Sequence, residues 1–180
     1  GKRSMSSSSL MRKLAVILHA DVIGSTALVQ RDEVRAHEQM QAAFRILSDR
    51  ISEYGGRTHE LRGDALVAEF ERASDAVTAA LAFQARGDEQ GTGSESDVKP
   101  VLRIGISLGE VVIADGTITG AGVVLAQRLE QLAPGNAVVV QGSVADTVPT
   151  RLPLEFESLG EQTLKGFENP VRAFIARLRS

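Results

Sequence analysis

A chain of 180 residues, 43% hydrophobic and 24% charged, suits one globular domain with a sizeable core. Its net charge of −3 gives no general basic field for nucleic acid or anionic lipid, and 4% aromatic residues leave no interleaved basic–aromatic surface, so no nucleic-acid partner is expected. The absence of cysteine excludes disulfides and thiolate metal sites and fits a reducing, cytoplasmic setting, and no run of about 18 apolar residues marks a membrane segment.

Residues 1–11 begin with the polar stretch GKRSMSSSS and read as a tag or disordered leader, with Met11 or Met5 as the candidate start. Residues 12–180 read as a single domain. Residues 14–20, LAVILHA, are short and apolar enough for a buried central strand. Asp21 ends that strand, and His19 shares its face because alternate strand residues point the same way. Gly24 permits a tight turn, and Ser25 or Thr26 suits a helix cap. The free N–H groups of a helix start favour an anion, so Asp21 beside residues 22–26 fits a divalent cation held between carboxylate and phosphate. A capping or turn aspartate is the plainer reading of the same residues.

Residues 25–54 carry helical spacing at Val34, Met40, Phe44, Leu47 and Ile51, with a break expected near 30–33 and a stop at Gly55-Gly56. His37 falls on the polar side. Residues 57–70 read as a hairpin turning at Gly63-Asp64. A straight strand would put Thr58, Glu60, Arg62 and Asp64 on one face, either a solvated side or a ligand surface. Residues 72–86 form an amphipathic helix, and residues 87–99 a polar surface loop. Residues 101–113 hold two β segments around Leu108-Gly109-Glu110. Residues 115–122, DGTITGAG, are a Gly-rich loop. A helix over 123–132, a strand over 137–140, a short helix over 143–147 and final strands over 154–159 and 171–178 complete an α+β chain.

HADVIGSTAL, GGRTHELRGDALVAEF, LRIGISLGEVV, ITGAGVVLAQRLEQLAPGNAVVVQGSV and LGEQTLKGFENPVRAF occur in that order. Together, over residues 12–178, they resemble the catalytic domain of bacterial class III adenylate/guanylate cyclases. The resemblance implies a ferredoxin-like βαββαβ core, with a central mainly antiparallel sheet flanked by helices. It implies a homodimer, or a heterodimer with another cyclase chain, and two Mg²⁺ or Mn²⁺ ions per site. The reaction implied is cyclisation of ATP or GTP to a 3′,5′-cyclic nucleotide and pyrophosphate. By the same match, Asp21, Asp64 and the backbone of Val22 hold metal. Ile23, Gly24, Ser25, Thr26 and Lys165 contact phosphate. Arg128, in LAQRLE, is the transition-state arginine.

Three positions depart from the adenylate cyclase pattern. Glu60 stands where a base-reading lysine is usual. An ionised glutamate donates no hydrogen bond to adenine N1, yet it accepts from guanine N1–H and N2–H₂, and family guanylate cyclases carry glutamate there. Thr117 stands at the second base-reading position and can donate or accept. Val124 replaces the ribose-orienting asparagine and has no polar group. The departures leave two expectations open: a slow cyclase, or an inactive cyclase-like regulatory and dimerisation module that keeps metal or nucleotide binding.

Overall fold

The computed structural model describes residues 10–62, 64–89 and 100–180. In chain order the elements are β1 (Leu10–Val22), α1 (Ser25–Arg31), α2 (Glu33–Glu53), β2 (Arg57–Arg62), β3 (Ala65–Phe70), α3 (Ala73–Glu89) and β4 (Leu102–Ala114). There follow β5 (Thr117–Thr119), α4 (Ala121–Glu130), β6 (Val138–Gln141), α5 (Gly142–Thr147), β7 (Leu154–Gln162) and β8 (Val171–Leu178).

The strands form one sheet in the order β2-β3-β1-β4-β6-β8-β7, with β5 paired to β4. Its first four strands, joined through the α1/α2 segment and through α3, are the expected ferredoxin-like βαββαβ unit. Among the described residues β4 and β6 pair in parallel and the other neighbours pair antiparallel. β1 is the axis of the sheet, bonded to β3 on one side and to β4 on the other. Its even residues Val16, Leu18, Ala20 and Val22 enter the larger core with Phe44, Leu47, Ile51 and Phe83 from α2 and α3. Its odd residues Ala15 and Ile17 face α4, packing with Val67, Val111, Ile118 and Ala126.

The break near residue 32 is present. Asp32 is the N-cap of α2, and its carboxylate accepts from the Arg35 N–H at 3.1 Å. Met40, Phe44, Leu47 and Ile51 are buried as expected, but Val34 is 68% exposed and Ala36 takes its place. Two residues along a helix is a turn of about 200°, so Val34 points away from the stripe that Ala36 begins. β1 opens at Leu10, inside the segment expected as a leader, and residues 1–9 lie outside the described residues.

Four further expectations change. Residues 102–114 are one strand rather than two segments. Gly109 is there for close approach, since a Cβ on it would stand 2.9 Å from the Gly122 Cα of α4. The Gly-rich stretch is a hairpin whose two turn residues, Asp115 (φ 50°) and Gly116 (φ 80°), have the left-handed pair that a two-residue connection demands. α3 extends through residues 87–89, and the rest of the expected loop, 90–99, lies outside the described residues. The β2 alternation is interrupted, because the register with β3 shifts between Thr58 and Glu60.

Candidate active site

Asp21 is the last odd residue of β1 and continues the α4-facing side of the sheet beyond Ile17 and His19. The Val22 N–H donates to the Asp64 carbonyl at 3.2 Å, so the β2–β3 turn is tied to the end of β1. The Ile23 N–H donates to the Val101 carbonyl at 2.8 Å, and Gly24 then turns with φ 70° into α1. Ile23, Gly24, Thr26 and Asp64 are exposed. Gly63 and the side chains of Ser25 and Arg62 lie outside the described residues.

The Asp21 carboxylate is gripped from β4. Arg103 is its register partner, donating from Nε to Oδ1 at 3.1 Å and from Nη2 to Oδ2 at 2.9 Å. Those bonds to Asp21 hold the guanidinium more firmly protonated than usual, against the effect of burial. Arg103 Nη2 also lies 3.6 Å from Glu130 Oε2 on α4. Glu130 is fully buried, and its Oε1 is 2.5 Å from His19 Nδ1. Its Oε2 has no hydrogen-bond partner. Burial pushes the Glu130 carboxyl up from 4.5 to about 7, opposed by the His19 hydrogen bond. His19 is therefore engaged by a buried carboxylate, and His37 is exposed on α2.

The other sequence-selected positions fall into two groups. Glu60 and Thr117 come together: the Glu60 Oε1 accepts from the N–H of Ile118 at 3.4 Å, and the Thr117 hydroxyl donates to the Ala114 carbonyl at 2.8 Å. Val124 and Arg128 lie one turn apart on α4. Val124 is 38% exposed, and Arg128 Nε donates to the Lys165 carbonyl at 3.2 Å.

Asp21, Asp64 and the Val22 carbonyl are hard oxygen donors, which suit Mg²⁺ or Mn²⁺. Among the described residues no group of three or more His, Cys, Asp or Glu forms a closed cage. Two carboxylates completed by phosphates and water is the usual way Mg²⁺ is held, so the residues fit the ion. Each Asp21 oxygen that meets Arg103 keeps a further lone-pair site.

Arg103 and Glu130 are the participants that sequence reasoning passed over. Arg103 lay inside LRIGISLGEVV, and nothing in the run distinguished it from a solvated arginine. Glu130 carried a usable signal. It stands four residues after Ala126 and next to Leu129, a charged residue on the apolar side of a helix.

No family model matches the chain. The putative adenylate cyclase 3 of Rhizobium meliloti (strain 1021) is 32% identical over 168 residues, covering 93% of this chain and 29% of that protein. The chain thus spans under a third of that relative's length, and about half (52%) of a mycobacterial relative that is 34% identical. The adenylate/guanylate cyclase/hydrolase from Silicibacter pomeroyi superposes with a TM-score of 0.81 at 30% identity, over 95% of this chain and 99% of that one. The adenylyl cyclase CyaB from P. aeruginosa shares the fold, with a TM-score of 0.82 at 21% identity over 95% and 97% of the two chains.

Proposed function

This chain belongs to the class III adenylate/guanylate cyclase domain family, and from that premise we propose that it forms a 3′,5′-cyclic nucleotide and pyrophosphate from a nucleoside triphosphate at a site shared between two protomers. The observation that carries the reading is the joining of the β1 end to the β2–β3 turn by the Val22 N–H, which brings the backbone of Asp64 to that of Asp21.

Asp21, Asp64 and the Val22 carbonyl would hold two Mg²⁺ or Mn²⁺ ions. When bound, such ions activate the ribose 3′-hydroxyl and neutralise charge on the phosphates. The loop from Gly24 to Thr26 presents backbone N–H groups and the Thr26 hydroxyl to the triphosphate, Ile23 lying beside it with its own N–H taken by Val101, and Lys165 adds a cation. Arg128 of the other protomer donates two hydrogen bonds to the phosphate that gains charge. Glu60 accepts from the guanine N1–H and N2–H₂, and Thr117 donates or accepts beside it. This favours GTP over ATP. Val124 offers the ribose nothing, so turnover is slow. By analogy with a deleted oxyanion donor, the loss is about 10²–10³ in rate.

A second reading has its own observation. Val124 is exposed and apolar at the ribose-orienting position, which suits a regulatory module that keeps the dimer and the metal but not catalysis. The test is product formation from ATP and from GTP, each with Mg²⁺ and Mn²⁺, at several protein concentrations. Specific activity that rises with protein concentration supports the two-protomer cyclase. No product from folded dimer supports the regulatory module.

A further inference from the structure

The residue that reads the base in the proposed function owes its placement to a bulge. Arg57 and Thr58 of β2 face Glu69 and Ala68 of β3, but Glu60 faces Val67, so His59 is an extra residue without an opposite number. Thr58 points to the helix layer, where its hydroxyl meets that of Ser48 on α2 at 2.9 Å. Period-two alternation would send Glu60 to that same side, into the core that holds Leu66, Ala68 and Phe70. The extra residue reverses the phase. Glu60 then stands on the side of Val67 and Ile118, beside Thr117.

The bulged residue is fastened. His59 Nε2 lies 2.6 Å from Glu69 Oε1, and Lys13 Nζ lies 2.6 Å from Glu69 Oε2. The His59 and Glu69 side chains are 7% and 12% exposed. Burial pushes the Glu69 carboxyl up, but the hydrogen bonds from Lys13 and His59 outweigh it and leave the carboxyl below its ordinary value. Glu69 therefore joins the bulge of an edge strand to β1, the axis of the sheet.

We propose that His59 and Glu69 are positioning residues for base selection: through Lys13 they lock the β2 bulge in the phase that presents Glu60 beside Thr117. The inference rests on the reading of Glu60 as the base-reading residue, and it adds which residues enforce that reading. A readout free of nucleotide also exists. Ala114 and Thr117 close the two-residue turn, so Ile113 and Ile118 are the next, non-hydrogen-bonded pair. The Ile118 N–H points away from β4 and donates to Glu60.

The experiment compares the native chain with Glu69→Gln, His59→Ala, His59→Gln and Glu60→Lys. It reads equilibrium binding of non-cyclisable GTP and ATP analogues, and amide hydrogen exchange at Ile118 and Leu18. Glu69→Gln and His59→Ala are expected to lower the GTP:ATP affinity ratio about tenfold, the size of one lost charge-assisted hydrogen bond. They are expected to speed exchange at Ile118 while leaving Leu18, in the centre of β1, unchanged. His59→Gln, which can still donate to Glu69, should restore most of the ratio. The inference is overturned if Glu60→Lys changes the ratio while Glu69→Gln and His59→Ala do not; the base-reading role of Glu60 then stands alone. It is also overturned if Ile118 and Leu18 speed up together and both nucleotides weaken equally, the mark of a merely structural contact. If Glu60→Lys leaves the ratio unchanged, the base-reading role itself fails and the specificity role falls with it.

Discussion

Replacing Glu130 by glutamine tests the buried link between the sheet and α4. The carboxyl is fully buried, shares Oε1 with His19 Nδ1 at 2.5 Å and leaves Oε2 without a hydrogen bond, 3.6 Å from Arg103 Nη2. Burial raises it from 4.5 to about 7. Between those values the folded chain binds a proton that the unfolded chain has released. The resulting stability is full below about pH 4.5 and is lost as the pH rises through about 7. At about 1.4 kcal/mol per pH unit the total is about 3 kcal/mol, most of it lost between pH 5 and 8. Glutamine has no proton to lose. The stability gap between the native chain and Glu130→Gln should therefore shrink by about 2–3 kcal/mol across that range. The assay is urea unfolding in chelator-containing buffer, followed by far-ultraviolet circular dichroism because the chain has no tryptophan and one tyrosine. Parallel curves for the two proteins from pH 5 to 8, or a gap that widens with pH, would refute the assignment of an elevated, proton-holding carboxyl at this position.

Three other outcomes follow from named contacts. Gly105→Ala places a Cβ 2.1 Å from the Ala126 carbonyl oxygen and 2.4 Å from the Glu130 nitrogen, both backbone atoms that cannot rotate aside. It should destabilise by about 3 kcal/mol and lower Tm by roughly 5–10 °C in calorimetry, and an unchanged Tm would mean that α4 lies farther from β4. Asp21→Ala should abolish cyclic-nucleotide formation and weaken Mn²⁺ binding read by electron paramagnetic resonance; persistence of both would remove Asp21 from the metal site. Val124→Asn should raise turnover by up to about 100-fold if the missing ribose contact limits the rate, and no gain would move the defect to Glu60.

The fold was legible because its central strand is written in a plain pattern. The LAVILHA run and the helical stripe of Met40, Phe44, Leu47 and Ile51 each state one periodicity without conflict. Two of the misplacements, at Gly109 and at Glu60, share a cause: a glycine or a bulge whose role is set by a distant element. Gly109 reads as a break in isolation, yet in the fold it makes room for Gly122. The phase of Glu60 depends on a carboxylate nine residues on and a lysine 47 residues back, and no local pattern carries that information. The family motifs paired Glu60 with Thr117, and the fold sets Glu60 against the Ile118 N–H next to Thr117; the contact of Arg128 with the Lys165 carbonyl was not among the expectations. They did not reveal that Asp21 is already paired with Arg103, because that contact comes from strand register rather than motif content.

α4 explains why one chain holds the site's parts without closing it. Its inward side carries Leu125, Ala126, Leu129 and Glu130, and the glycine contacts at Gly105 and Gly109 seat that side directly on β4. Glu130 and His19 then fill the space between the helix and the sheet near Asp21. Val124 and Arg128 project from other faces of the helix, Arg128 toward the segment of Lys165. A helix seated this closely cannot roll Arg128 around to Asp21 without driving backbone into backbone at Gly105. Within one protomer Arg128 and Asp21 are thus held on different sides of α4, which supports the proposal of a site completed by a second copy. On that account activity should vanish on dilution below the dimerisation constant and return when an Asp21→Ala chain is mixed with an Arg128→Ala chain, since one of the two composite sites would then be intact. No recovery on mixing, with heterodimers demonstrated by native mass spectrometry, would refute the shared site.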